Sequence, residues 1–266
     1  AIQTIALFFM IGMGVFGQGF VGKLAFPSAN VSDRIEKTFT SVNFNMMIMV
    51  IYALITIAIF GMWYYARYEG NFLPSPKKTF NPMMLVAIVI LVPGTQFAAN
   101  FIANLTGYIR PDWLQQYNEL FETSGITDTT FVTVLYSVIL APICEELIFR
   151  GVTMRCARKA LPFALANLIQ AALFGLFHLN WIQGIYAFAL GIVLGYVCER
   201  GGSIYYSIGL HLLFNLWGTL SGFFPDPGNS VVIFVIVIAV TIVSLVVGFV
   251  LFNKGRRKLP INSTGI

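Results

Sequence analysis

Three short stretches hold the residues whose types could do chemistry. Cys144-Glu145-Glu146-Leu147-Ile148-Phe149-Arg150 contains the only adjacent pair of carboxylates in the chain. Phe174-Gly175-Leu176-Phe177-His178 contains one of its two histidines, and His211-Leu212-Leu213-Phe214-Asn215 the other. A carboxylate and an imidazole held together can deprotonate a water and make it a nucleophile. A second imidazole and a side-chain amide can donate hydrogen bonds to the oxyanion of a tetrahedral intermediate. Such a set suffices to hydrolyse an amide. The same residue types leave a second option open, in which Glu145, His178 and His211 hold a zinc ion that activates the water. The spacing matches no single-helix zinc motif of the H-E-x-x-H type.

Helical spacing sorts these residues further. Glu146 and Arg150 are four apart, so they share a face and can pair, with the acid on the favoured N-terminal side. Glu145 is turned about 100° from Glu146 and faces a different surface. His211 and Asn215 point the same way, and Phe174 sits one turn below His178, where it could wall its pocket. Cys144 lies beside Glu145 on another face, and apolar surroundings make a thiol inert. Cys156 and Cys198 read as apolar fillers or loop thiols.

The elements that must position these residues are apolar throughout. Of 266 residues, 58 % are apolar and 10 % charged, against about 45–50 % and 25 % in soluble domains. This excludes an ordinary soluble enzyme, a disordered chain and a disulfide-built domain, since only Cys144, Cys156 and Cys198 are present. Eight stretches approach the roughly 20 apolar residues that span a bilayer: about 1–20, 44–65, 83–105, 129–150, 162–180, 182–199, 203–221 and 231–252. The expected fold is all-α, a polytopic membrane helix bundle of about eight transmembrane helices. It forms a single domain over 1–266, with a motif-bearing core at about 129–221 and a flexible basic tail at 254–266.

With both termini cytoplasmic, the inner side collects twelve Lys and Arg (Arg150 among them) and the outer side only Lys23, Arg34, Lys37 and Arg110. This is the sense of the positive-inside rule, and it assigns the net charge of +5 to topology and not to nucleic acid. Residues 112–122 place Trp113, Leu114, Tyr117, Leu120 and Phe121 at the spacing of an amphipathic helix on the membrane surface. Gly191-x-x-x-Gly195 marks close helix packing. A charged side chain within a span costs at least ~2.5–3.5 kcal/mol, so Glu145, Glu146, His178 and His211 are functional candidates by position alone. At about 1.5 Å per residue their helices could bring them together near the middle of the membrane.

Glu145-Glu146-x-x-x-Arg150, Phe174-x-x-x-His178 and His211-x-x-x-Asn215 resemble the three motifs of the CPBP family. That group contains the type II CAAX prenyl endopeptidases and the Abi, or bacteriocin-immunity, proteins. The resemblance covers about 141–220, nearly a third of the chain, and departs from the pattern nowhere. It implies an eight-helix intramembrane endopeptidase. Glu145 matches the catalytic glutamate, which with His178 activates water, and His211 and Asn215 match the pair that stabilises the oxyanion. Glu146 and Arg150 match motif positions assigned to structure. The resemblance implies proteolysis more firmly than zinc, so no cofactor is expected in the favoured mechanism, with zinc as the alternative. The implied partners are membrane lipids and a protein or peptide substrate, lipid-modified in CAAX-type cases. The implied location is a bacterial plasma membrane, with the endoplasmic reticulum as the other option. Two competing functions stay open: a proton-coupled transporter using the same groups as a relay, and a non-catalytic immunity or scaffold protein.

Overall fold

The computed structural model describes residues 42–66, 81–124, 130–221 and 230–256. The expected span at 1–20 lies outside them. Among the described residues the chain forms eight helices: α1 (Val42–Tyr64), α2 (Pro82–Ile109), α3 (Pro111–Ser124), α4 (Phe131–Arg158), α5 (Phe163–Phe177), α6 (Trp181–Gly201), α7 (Ile204–Ser221) and α8 (Val231–Arg256). By length and composition α1 (from Met46), α2, α4, α6 and α8 can each cross a membrane. Their outward faces are apolar, as at Leu54, Val89, Phe101 and Val243, so lipid and not water suits the exterior. This is the all-α membrane bundle that the composition predicts.

Asn81 starts α2 by accepting the Met83 N–H, with Pro82 at the first helical position. Pro93 lies inside this helix and opens its hydrogen-bond ladder. The Ser244 hydroxyl of α8 enters the gap, accepting from the Gly94 N–H at 2.9 Å and donating to the Ile90 carbonyl. A neighbouring helix thus re-satisfies backbone that lipid could not. Gly248 and Gly255 of α8 meet Leu91 and Met84 of α2, continuing the contact.

The helices share two ends. At one, the Asn81 N–H donates to the Tyr206 hydroxyl oxygen and its Nδ2 donates to the Gly255 carbonyl. There too Arg155 donates to Tyr64 Oη, and Arg158 pairs with Glu199 at 3.1 Å. At the other end α3 packs against α2 and α6, with Trp113 stacked on Trp181 at 5.4 Å. Arg110 and Asp112 form an exposed pair at 2.6 Å, and this hydrogen bond holds the Asp112 carboxyl below its usual range. The helix expected over 112–122 is therefore present.

Two expectations need correction. Arg150, counted with the loop cations, is fully buried, 0 % exposed, because its guanidinium is neutralised inside the bundle. The basic tail begins later than Lys254, since α8 continues to Arg256 and Gly255 is buried against Met84.

α5 has only 15 residues, roughly 22 Å, and stops short of a ~30 Å hydrocarbon core. His178 is its C-cap. Leu179 follows with φ +53°, a left-handed conformation that costs a non-glycine residue of order 1–3 kcal/mol. Asn180 then caps α6 by accepting the Gln183 N–H. This hairpin closes on small residues. A Cβ on Gly175 would collide with the Gly184 carbonyl, and Gly191 and Gly195 sit against Ala171 and Asn167. The packing expected at Gly191 and Gly195 is present. Gly175→Leu is expected to destabilise the protein by about 1–3 kcal/mol, because backbone and not a flexible side chain blocks it. Thermal melting in detergent reads this, and an unchanged midpoint would contradict the packing described.

Candidate active site

Local backbone geometry in α4 prepares the site. Pro142 has no N–H to donate. Before it the helix widens into π turns over Leu135–Leu140, and the Ala141 N–H reaches back to the Tyr136 carbonyl. In that pattern the Ser137 carbonyl would pair with residue 142, a proline, and is left without a backbone donor. Asn215 of α7 fills the vacancy, its Nδ2 donating to Ser137 O at 2.8 Å. A second run of π turns spans Leu147–Met154, directly after the two glutamates. Such turns gather at functional sites.

The buried centre is an ion pair. Arg150 Nη1 donates to Glu146 Oε1 at 2.7 Å, both side chains fully buried. Arg150 Nη2 donates to the Gly191 carbonyl at 3.2 Å, and its guanidinium lies 4.5 Å over the Phe174 ring. The Gln170 amide donates to the same Gly191 carbonyl at 2.8 Å. Desolvating two charges is costly unless geometry and extra hydrogen bonds compensate, and here both partners are tied to further groups.

Glu146 also fixes His211. Its Oε1 lies 2.9 Å from His211 Nδ1. A carboxylate accepts, so Nδ1 carries the proton. The other ring nitrogen, Nε2, stands 3.6 Å from Glu145 Oε2. Thus Glu146 holds the imidazole by a hydrogen bond at one ring nitrogen, and Glu145 stands in looser contact with the other. His178 is held differently: its Nδ1 donates to the Phe174 carbonyl at 2.9 Å, one of the orphan acceptors at a helix end. Its Nε2 makes no hydrogen bond among the described residues. Phe174 meets both imidazoles edge to face, at 5.0 Å and 5.8 Å between ring centres.

Glu145, His178, His211 and Asn215 all line one cavity of about 750 Å³, room for many waters at ~30 Å³ each. The structure therefore brings the four predicted residues to one space. Glu145 makes its close contact with His211, and His178 joins the lining beside Phe174. Glu146 and Arg150 lie behind the wall. Cys144 and Cys198 are buried and Cys156 is exposed. Sequence reading missed Gln96, Ser137 and Tyr186 in the lining. A polar amide inside an apolar span was an available signal for Gln96, and Pro142 was one for Ser137.

The zinc option can be tested on this arrangement. A ring nitrogen whose partner nitrogen is held by an acceptor, as in His178 and His211, is a suitable metal donor. Among the described residues, however, no three His, Cys, Asp or Glu side chains are grouped so as to hold a metal. Glu145, His178 and His211 as placed do not fit a three-ligand zinc centre.

Residues 127–217 match the family model described as Type II CAAX prenyl endopeptidase Rce1-like. No curated protein and no solved structure matches the chain. The matched stretch contains all six polar residues of the cluster, from Glu145 to Asn215. Together with the long apolar helices it indicates an integral membrane protein and a membrane endopeptidase. The stretch that carries the polar cluster is thus similar to the type II CAAX prenyl endopeptidase Rce1-like family, as the three motifs suggest.

Proposed function

We propose that the protein hydrolyses a peptide bond inside the membrane, with Glu145 as the base that activates water. The contact between Glu145 and His211 at the cavity floor, 3.6 Å, carries this reading. With Nδ1–H spent on Glu146, His211 can offer a second donor at Nε2 only as the imidazolium. Glu145 and Glu146 together balance that charge and the charge of Arg150.

In the reaction Glu145 takes one proton from water, and the hydroxide oxygen bonds to the substrate carbonyl carbon. The carbonyl oxygen becomes an oxyanion facing His211 Nε2–H and the second N–H of the Asn215 amide. Each such donor is worth about 10²–10³ in rate. The His178 Nε2 lone pair accepts from the attacking water and orients it. Collapse breaks the C–N bond, and the proton held on Glu145 passes to the leaving amine. The products are a carboxylic acid and an amine, with no metal in any step.

The substrate is a peptide or membrane protein, with a CAAX-type prenylated tail as the first case to test. Purified protein would be incubated with a farnesylated CAAX peptide and with a mixed peptide library, with and without a zinc chelator. Cleavage that continues under chelation is the expected result. Folded protein that cuts no peptide would overturn the reading and favour an immunity or scaffold role. Activity lost to the chelator and restored by zinc would overturn the metal-free route.

A further inference from the structure

The cavity is one-sided. Its lining comes from the first part of α1 (Met49), the last part of α2 (Gln96 to Ala103), the start of α4 (Thr133 to Glu145), the end of α5, the start of α6 and the end of α7. These are all the helix ends that gather near α3, and Tyr117 of α3 is itself in the lining. None of the residues at the Arg155–Arg158 end contributes. The route from Glu145 to the surface passes Asn100, Thr133, Gln183, Thr219 and Ser221, polar groups that suit a wet passage.

The connections between helices carry charge just as unevenly. Those at the closed end, with the residues after α8's last turn begins, hold Arg67, Lys77, Lys78, Arg155, Arg158, Lys159, Arg200, Lys254, Arg256, Arg257 and Lys258, beside only Glu69 and Glu199. Those at the open end, with the residues that precede α1 in the sequence, hold Lys23, Arg34, Lys37 and Arg110, beside Asp33, Glu36, Asp112, Glu119, Glu122, Asp128 and Asp226. Arg110 is also neutralised by Asp112. Burial of Arg150 removes one cation from the earlier count of twelve and leaves the asymmetry eleven to four. Basic short loops stay on the cytoplasmic side.

We propose that the cavity opens on the extracytoplasmic face, so that this enzyme receives peptide segments presented from that face and not cytoplasmic tails. This rests on the proteolytic reading for its substrate, but not for the side of access. Farnesylated CAAX tails then serve in detergent only as chemically acceptable peptides. The natural substrate is the outer end of a membrane-anchored segment.

Cys156 is exposed at the closed end, and Val231, 76 % exposed, begins α8 at the open end. The full chain would be expressed in a bacterial inner membrane and treated with a membrane-impermeant maleimide. One sample keeps Cys156, and the other carries Cys156→Ser with Val231→Cys. Val231→Cys should react in intact cells and Cys156 only after lysis. The reverse pattern, or equal reaction of both from outside, overturns the proposal. In parallel, right-side-out and inverted vesicles would receive a peptide that the solubilised protein cuts. Cleavage confined to right-side-out vesicles is expected, and cleavage confined to inverted ones overturns it. If the solubilised protein cuts nothing, the proteolytic reading fails while the labelling still decides the face.

Discussion

Glu145→Gln is expected to lower peptide cleavage by about 10³-fold or more while the protein still folds. The substitution keeps size and shape but removes the group that can hold a proton. Glu145 is the partly accessible carboxylate of the pair, 17 % exposed on its side chain, and it takes no part in the Arg150 contact. Its amide can still face His211 Nε2. Melting in detergent should therefore shift little, within the range of ordinary single substitutions of about 0.5–3 kcal/mol. Cleavage rate and melting temperature, measured on one preparation, separate the two effects. A variant that cuts at the wild-type rate would remove Glu145 from the chemistry and transfer attention to His178.

The second large effect falls on the fold. Arg150→Ala leaves Glu146 ionised in a fully buried site, next to a hole where the guanidinium packed on Phe174. Breaking a buried pair by removing one partner costs about 3–5 kcal/mol, a large fraction of a typical total stability of about 5–15 kcal/mol. The variant should accumulate poorly and elute as aggregate after solubilisation. Glu146→Gln combined with Arg150→Met should recover much of the folded yield, because no charge is then left unpaired. That double variant still accepts from His211 Nδ1 but removes one of the two carboxylates beside the imidazole, so cleavage should stay depressed. Wild-type melting behaviour in Arg150→Ala alone would show that the pair contributes little to stability.

Much of the site was legible because it depends on local helix geometry. The four-residue spacings of Glu146 with Arg150 and of His211 with Asn215, and the turn between Phe174 and His178, need no tertiary knowledge. The bundle was legible for a similar reason, since long apolar runs have few other stable fates. What the sequence hid is non-local. Glu146 and His211 are 65 residues apart, and no pattern announces that one carboxylate serves both an arginine and a histidine. The first run of π turns in α4 goes with one proline, Pro142, which could equally have kinked the helix. Arg150 was readable as a partner of Glu146, but its place among the inner cations hid how completely α5 and α6 enclose it through Phe174 and the Gly191 carbonyl. The shortness of α5 was masked by the apolar residues beyond His178.

That shortness has a further consequence. From Pro162 to His178 the chain acts as a ruler whose graduation is one residue. Each residue added or removed there would move the imidazole by about 1.5 Å and swing it by about 100°, off the Phe174 carbonyl and out of the cavity wall. The surrounding connections can absorb changes of length at small entropic cost. This segment cannot, so the distance between the basic end and the histidine is written as an integer, and variation along it is confined to exchange of one side chain for another.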